Sequence, residues 1–281
     1  MKVLKTVESV RLFVQKNKAE GKVLGFVPTM GALHDGHISL LKAGMKDCDV
    51  LIVSIFVNPL QFNDLNDLNL YPRTPEKDME MLEDAGCDMV FMPAADEIYP
   101  DKPNFTYALG DLEYKLEGKF RPGHFQGVAH VVDRLFSIVT PDKAYFGVKD
   151  YQQVLIIKKM VSLTHAKVEI IPCATLREFD GLAMSSRNAR LTPEQRAGAG
   201  VIYQTLSQVP EMAKKMDVKN VKDWVEDRIN NTPFMQVEYF EMADPETLDT
   251  LFHLANGKSV GLFVAVFCGK VRLIDNLFFV F

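Results

Sequence analysis

Up to about residue 175, apolar and β-branched runs of strand length alternate with stretches whose apolar residues recur at helical spacing. The runs fall at 23–27, 50–57, 89–92, 143–146 and 168–171, and the helical stretches at 38–46, 75–85, 125–139 and 151–163. That alternation predicts βαβ units and a parallel, doubly wound sheet, a Rossmann-like α/β domain over residues 1–175. After the polar segment "REFDGLAMSSRNARLTPEQR" the order becomes helix, helix, strand, strand, with the strands at 236–242 and 259–267. This predicts a smaller α+β lid domain over 176–281, hinged near residues 172–180. "FNDLNDLNL" at 62–70 reads as a surface loop.

Composition narrows the class. A chain of 281 residues, 47% hydrophobic and 25% charged, can bury a substantial core. Its longest apolar stretches, 50–57 and 260–268, are far too short to span a bilayer, so no membrane partner is expected. A formal charge of -5 without any block of Lys or Arg argues against nucleic acid as a partner, although small anions can still be bound locally. Cys48, Cys87, Cys173 and Cys268 lie far apart with no C-x-x-C pair, and nothing before Val23 resembles a signal peptide. The expectation is a cytoplasmic protein without disulfides.

The candidate chemistry gathers where strands end. In a doubly wound sheet the first βα connection is the usual place for a nucleotide, and here it reads "PTMGALHDGH", residues 28–37. Gly31 and Gly36 let backbone approach a ligand, and the next helix is expected to begin at about His37, where free N–H groups favour phosphate. His34 and His37 could there donate hydrogen bonds to phosphate oxygens and stabilise a leaving group. Two other readings, a metal pair and purely structural imidazoles, are weaker: there is no HExxH and no third ligand at metal spacing.

Further stretches point the same way. "FVNPLQF" at 56–62 brings Asn58 and Gln61 to the same sheet edge as neutral amides that can orient a polar substrate. "AYFGVKDYQQ" at 144–153 places Lys149 and Asp150 at a strand-to-helix junction, with Gln153 one turn on. A lysine there can meet phosphate, and an aspartate can cap the helix or bind ribose hydroxyls. "GLAMSSRN" at 181–188 combines hydroxyls with Arg187 as a mobile anion clamp. "EGKFRPGHFQG" at 117–127, with Arg121 and His124, reads as a Gly-rich anion loop or simply a turn.

Together, "PTMGALHDGH", "FVNPLQF", "YPRT", "RPGHFQGV", "AYFGVKDYQQ" and "DGLAMSSRN" resemble, in order, the signatures of the pantothenate synthetase family. That family sits in the nucleotidyltransferase group, which shares H-x-G-H with class I aminoacyl-tRNA synthetases. The resemblance implies ATP-dependent joining of pantoate to β-alanine through a pantoyl adenylate, with release of AMP and pyrophosphate, by a magnesium-requiring cytoplasmic homodimer. It implies ATP contacts from Met30, Gly31, Ala32, Leu33, His34, Asp35, Gly36 and His37, with His37 the proton donor. Gly147, Val148, Lys149, Asp150, Leu176, Met184, Ser185, Ser186 and Arg187 would complete the nucleotide site. Gln61 and Gln153 would hold pantoate, and Asp78, after "YPRTPEK", would help bind magnesium. The chain departs from the family at Val148, where Glu or Gln is frequent, at His130 and Arg134, where Thr and Lys are usual, and at Lys77, an aspartate in some members.

The chemistry agrees with the residue types. A carboxylate acylates poorly because its leaving group would be oxide, so transferring AMP onto it makes a mixed anhydride that an amine can open. Bringing one anion to another requires cations, such as Lys149 and Arg187, and no protein nucleophile. A nucleotidyltransferase would instead keep the nucleotide on its product, an aminoacyl-tRNA synthetase relative would need a basic surface, and a non-catalytic nucleotide-binding module would tolerate loss of His37 or Lys149.

Overall fold

The structure is a computed structural model that describes residues 1–63, 65–101 and 103–281. The chain divides into two compact units, the first made of Met1–Glu113, Arg121–Val148 and Gln153–Ala174, the second of Tyr114–Phe120, Lys149–Gln152 and Thr175–Phe281. A single cut after residue 175 therefore misses two short segments that group with the C-terminal unit. Side chains hold them there: Glu117 takes the Arg272 guanidinium on both oxygens at 2.7 and 2.8 Å, and Gln152 accepts the Glu117 N–H at 3.0 Å.

The first unit carries a six-stranded parallel sheet: β1 (Lys2–Leu4), β2 (Leu24–Thr29), β3 (Val50–Ile55), β4 (Met89–Phe91), β5 (Lys143–Gly147) and β6 (Glu169–Cys173), in the order β1-β4-β3-β2-β5-β6. Successive residues of β2 and β3 feed opposite faces. Leu24, Phe26, Val50 and Ile52 join one core with Phe125, Val128, Val132 and Phe136 of the helix His124–Val139. Val27, Leu51 and Val53 join another with Ile38, Leu40 and Leu41 of the helix Asp35–Gly44. Burial on both faces explains why 50–57 is apolar throughout and does not alternate. After β2 the chain builds outward through β3 on one side, and β5 later pairs with the other side of β2. The carboxyl ends of β2 and β5 thus flank a topological switch point, the expected position for a ligand crevice.

The second unit holds an antiparallel sheet of β7 (Met235–Ala243), β8 (Ser259–Cys268) and β9 (Val271–Val280). Val218, Val221, Val225 and Ile229 recur every three or four residues along the helix Val218–Asn230 and are buried in the same core as this sheet. Among the elements without a counterpart in the sequence reading are β1, β9 and the helix Val7–Ala19. Before the final helix there are three short ones, Pro193–Gly198, Val201–Leu206 and Val209–Ala213. The expected loop at 62–70 contains one helical turn, Leu65–Asn69, and its Asp64 lies outside the described residues.

Candidate active site

The H-x-G-H segment starts its helix earlier than expected. The helix Asp35–Gly44 begins two residues before His37, and His34 is its N-cap, with extended backbone (φ -145, ψ 173). His34 Nδ1 accepts the Gly36 N–H at 3.1 Å, and His37 Nδ1 accepts the His34 N–H at 3.3 Å. The two imidazoles therefore form a reciprocal capping box, in positions where Ser and Glu are the usual pair. Their ring centroids are 4.1 Å apart. Because each Nδ1 accepts a hydrogen bond, each neutral ring carries its proton on Nε2, which is the donor nitrogen. Both histidines thus have a structural role at the helix N-terminus, and that role leaves the ring tautomers suited to donating from Nε2.

The loop between β2 and this helix is held by one carboxylate. Gly31 and Ala32 both have positive φ, +79° and +48°, an unusual conformation for alanine. This turns the successive N–H groups of Ala32 and Leu33 onto Asp78, whose Oδ2 and Oδ1 accept them at 2.9 and 2.8 Å. Thr74 Oγ1 adds a third bond to Oδ1 at 2.9 Å. Asp78 is only 1% exposed. Both of its oxygens are directed at these protein donors. The residues present do not fit the magnesium role that the resemblance implies for Asp78. They fit an anion nest filled from within by a side chain. The N–H groups of Ala32 and Leu33 are likewise engaged by Asp78, and both residues are buried, at 9% and 4% exposure.

The second loop, after β3, is equally built. Asn58 is fully buried and caps a turn of 3₁₀ helix, Pro59–Gln61. Its Nδ2 donates to Gln61 Oε1 at 3.1 Å and to the Gly127 carbonyl at 3.0 Å, while its Oδ1 accepts from Tyr99 Oη at 3.1 Å. Gln61 Oε1 is therefore the bound end of the amide, and Nε2 is the donor end, 3.0 Å from Met30 Sδ on the first loop. This contact joins Gln61 to the "PTMG" segment. His124 and Arg121 support the same turn: His124 Nδ1 is 2.8 Å from the Gln61 carbonyl, so Nδ1 donates and Nε2 accepts from Arg121 Nη1 at 3.2 Å. "RPGHFQG" is thus a brace for the Gln61 turn.

Gly147 ends β5, Val148 opens the short turn Val148–Asp150, and Gln153 lies half-buried in the first turn of the helix Tyr151–Thr164. Lys149 and Asp150 belong to the second unit, where their side chains pair at 3.6 Å. Leu176, Met184, Ser185, Ser186 and Arg187 lie in that unit too. The structure brings the first two of these together, since Met184 N–H donates to the Leu176 carbonyl at 3.0 Å across a tight hairpin closed by the Arg177–Ala183 bridge. Ser185 then caps the 3₁₀ helix Ser186–Arg190, its Oγ accepting the Arg187 N–H at 3.3 Å. The sequence reading missed Asp275, Asn276 and Arg177. The signal was available in "RLIDNLFFV", where two polar residues interrupt an apolar strand-length run.

Comparison with known proteins gives the family. The model of the Pantoate-beta-alanine ligase family matches residues 2–278. The chain is 47% identical over 277 residues to a pantothenate synthetase of Porphyromonas gingivalis, covering 99% of each. The crystal structure of pantothenate synthetase from Thermus thermophilus aligns with a TM-score of 0.90 at 40% identity, over 99% of both chains. A pantoate-beta-alanine ligase from Francisella tularensis, solved in complex with beta-gamma ATP and beta-alanine, aligns at 0.79 and 35% identity, over 99% of this chain and 97% of that one. An H-x-G-H capping box at the switch point of a doubly wound sheet, and a match running from one end of the chain to the other, place this protein in the pantoate–β-alanine ligase family.

Proposed function

We propose that the chain condenses (R)-pantoate with β-alanine through a pantoyl adenylate. A pantoate carboxylate oxygen attacks the α-phosphorus of ATP, the bond to the bridging oxygen breaks, and pyrophosphate leaves. The β-alanine nitrogen, as the free amine, then attacks the acyl carbon. The acyl–oxygen bond to AMP breaks, and the ammonium formed loses its proton to give the amide.

The observation that carries this reading is the His34–His37 capping box, which fixes both Nδ1 atoms as acceptors and leaves Nε2–H as the donor of each ring. Such donors, at a helix N-terminus beyond the end of β2, suit charge growing on departing pyrophosphate. Lys149 and Arg187, both in the second unit, are assigned the cationic work on phosphate that the family resemblance implies. Gln61 and Gln153 are assigned to pantoate. Gln61 is the better supported, because Asn58 fixes it with an N–H end to offer a carboxylate or hydroxyl. The complex of the Francisella relative supports ATP and β-alanine as co-substrates. Magnesium accompanying ATP, a homodimer and a cytoplasmic location come into the proposal from the resemblance. No helix among the described residues is long and apolar enough to cross a membrane.

One end-point assay tests the reading. With ATP, pantoate and β-alanine the protein should form AMP and pyrophosphate in equal amounts, and enzyme, ATP and pantoate alone should exchange labelled pyrophosphate into ATP. Release of ADP would identify an acyl phosphate and overturn the adenylate route. A product retaining the nucleotide would place the chain among nucleotidyltransferases.

A further inference from the structure

Strand β9 crosses the core of the second unit, yet its middle carries Asp275 and Asn276, which are 4% and 5% exposed. Burying a charge and an amide in a strand is costly, and apolar residues of similar volume often serve stability as well or better. The two side chains are engaged in different directions. Asp275 takes the Arg177 guanidinium on both oxygens, at 2.7 and 3.0 Å. Arg177 also donates to the Gly181 carbonyl at 3.0 Å and to the Asn276 carbonyl at 3.2 Å, and its guanidinium lies 3.9 Å over the Tyr203 ring. It therefore ties both arms of the hairpin that leads into Ser185–Arg187 to strand β9. Asn276, the next residue, donates from Nδ2 to the Lys149 carbonyl at 2.8 Å. Its own N–H returns to Asp275 Oδ1 at 2.8 Å, locking the pair together.

We propose that Asp275 and Asn276 are positioning residues that set the Lys149 turn and the base of the Arg187 loop against one rigid strand. Their side chains act through these two segments. One strand position thereby holds both cationic segments in register. A bidentate guanidinium–carboxylate pair suits the task, because its planar fork fixes orientation as well as distance. The proposal rests on the reading that Lys149 acts on phosphate.

The test measures pyrophosphate–ATP exchange, with rates normalised to the folded fraction from circular dichroism, in Asn276→Ala, Lys149→Ala and the double variant. Asn276→Leu, which keeps the side-chain volume without the donor, replaces Asn276→Ala if that variant melts below the assay temperature. Displacing a catalytic group by a fraction of an ångström should slow exchange at saturating ATP by about tenfold, while KM for pantoate stays within about twofold. In the Lys149→Ala background the further loss of Asn276 should have no more than about a twofold effect, since the group it positions is already gone. If Lys149→Ala is impaired and the two losses multiply, the positioning proposal is overturned and the reading of Lys149 stands. If Lys149→Ala exchanges at the wild-type rate, the reading itself fails and takes the proposal with it.

Discussion

Asp78 and Leu33 lie 45 residues apart, and the carboxylate of one accepts the main-chain N–H of the other at 2.8 Å while taking that of Ala32 at 2.9 Å. A single side chain on the helix Pro75–Asp84 thus dictates the path of the loop that ends in the two histidines. The left-handed Ala32 is held in place by this pair of bonds.

Asp78→Asn keeps the shape but turns an NH₂ toward one of those N–H donors. The loss of one charged hydrogen bond, and the unsatisfied donor left behind, should destabilise the protein by about 1–3 kcal/mol. Turnover should fall by roughly one to two orders of magnitude as the histidines shift. The magnesium concentration for half-maximal activity should stay within about twofold of wild type. A shift of tenfold or more in that titration would show that Asp78 binds the metal after all.

The mutual capping of His34 and His37 separates two effects that Ala substitution would confound. His34→Ala should lose both the cap, worth about 0.5–2 kcal/mol, and the Nε2 donor. His34→Asn supplies a good cap without an imidazole, so its melting temperature should lie within about 2–4 °C of wild type, while exchange still falls by roughly a hundredfold. Thermal melts alongside the exchange assay distinguish the two. Near-normal exchange in His34→Asn would mean that the imidazole only caps the helix.

The four cysteines offer a check by pH. Burial raises the thiol of Cys87 to about 12, and burial likewise moves Cys48, Cys173 and Cys268 above the ordinary value. Thiolate is the reactive form, and a raised pKa makes it scarcer at neutral pH. Iodoacetamide at pH 7.5 should therefore leave activity intact over hours, and the alkylation rate of the native protein should climb steadily from pH 7 to 10. Rapid inactivation at pH 7.5, prevented by ATP, would expose an activated thiol and contradict the absence of a protein nucleophile.

Much of this was legible before folding because periodicity and motif spacing are local. The five longer runs all appear in the parallel sheet, and "PTMGALHDGH" lies on the connection where it was expected. What escaped had a physical reason. β1 has three residues, too few to show a period, and β9 is interrupted by Asp275 and Asn276, whose partners Arg177 and Lys149 lie 98 and 127 residues away. Asp78 was recognised as important, but its role was not readable, since a carboxylate that binds a metal and one that binds two backbone N–H groups look alike in sequence. The helix start at Asp35 was displaced by two residues because histidine is an uncommon N-cap.

Gly127 carries the last prediction. A Cβ built there would collide with the Leu60 carbonyl oxygen and sit 2.7 Å from the Gln61 nitrogen, both backbone atoms that cannot rotate away. The helix His124–Val139 and the Pro59–Gln61 turn approach this closely so that Asn58 can bond the Gly127 carbonyl and Gln61 together. Gly127→Ala must push the turn outward, at a cost of about 1–3 kcal/mol for overpacking, and should carry Gln61 away from its position beside Met30. KM for pantoate should rise by about tenfold or more, with affinity for a non-hydrolysable ATP analogue changed by less than about threefold. Gln61→Glu should impair pantoate use more than Gln61→Ala does. Its second oxygen would replace an N–H with negative charge where a carboxylate must bind, whereas alanine only removes a donor. Steady-state kinetics for pantoate and calorimetry for the nucleotide separate these effects. Equal losses for both ligands in Gly127→Ala would mean that the turn serves the fold and not the substrate.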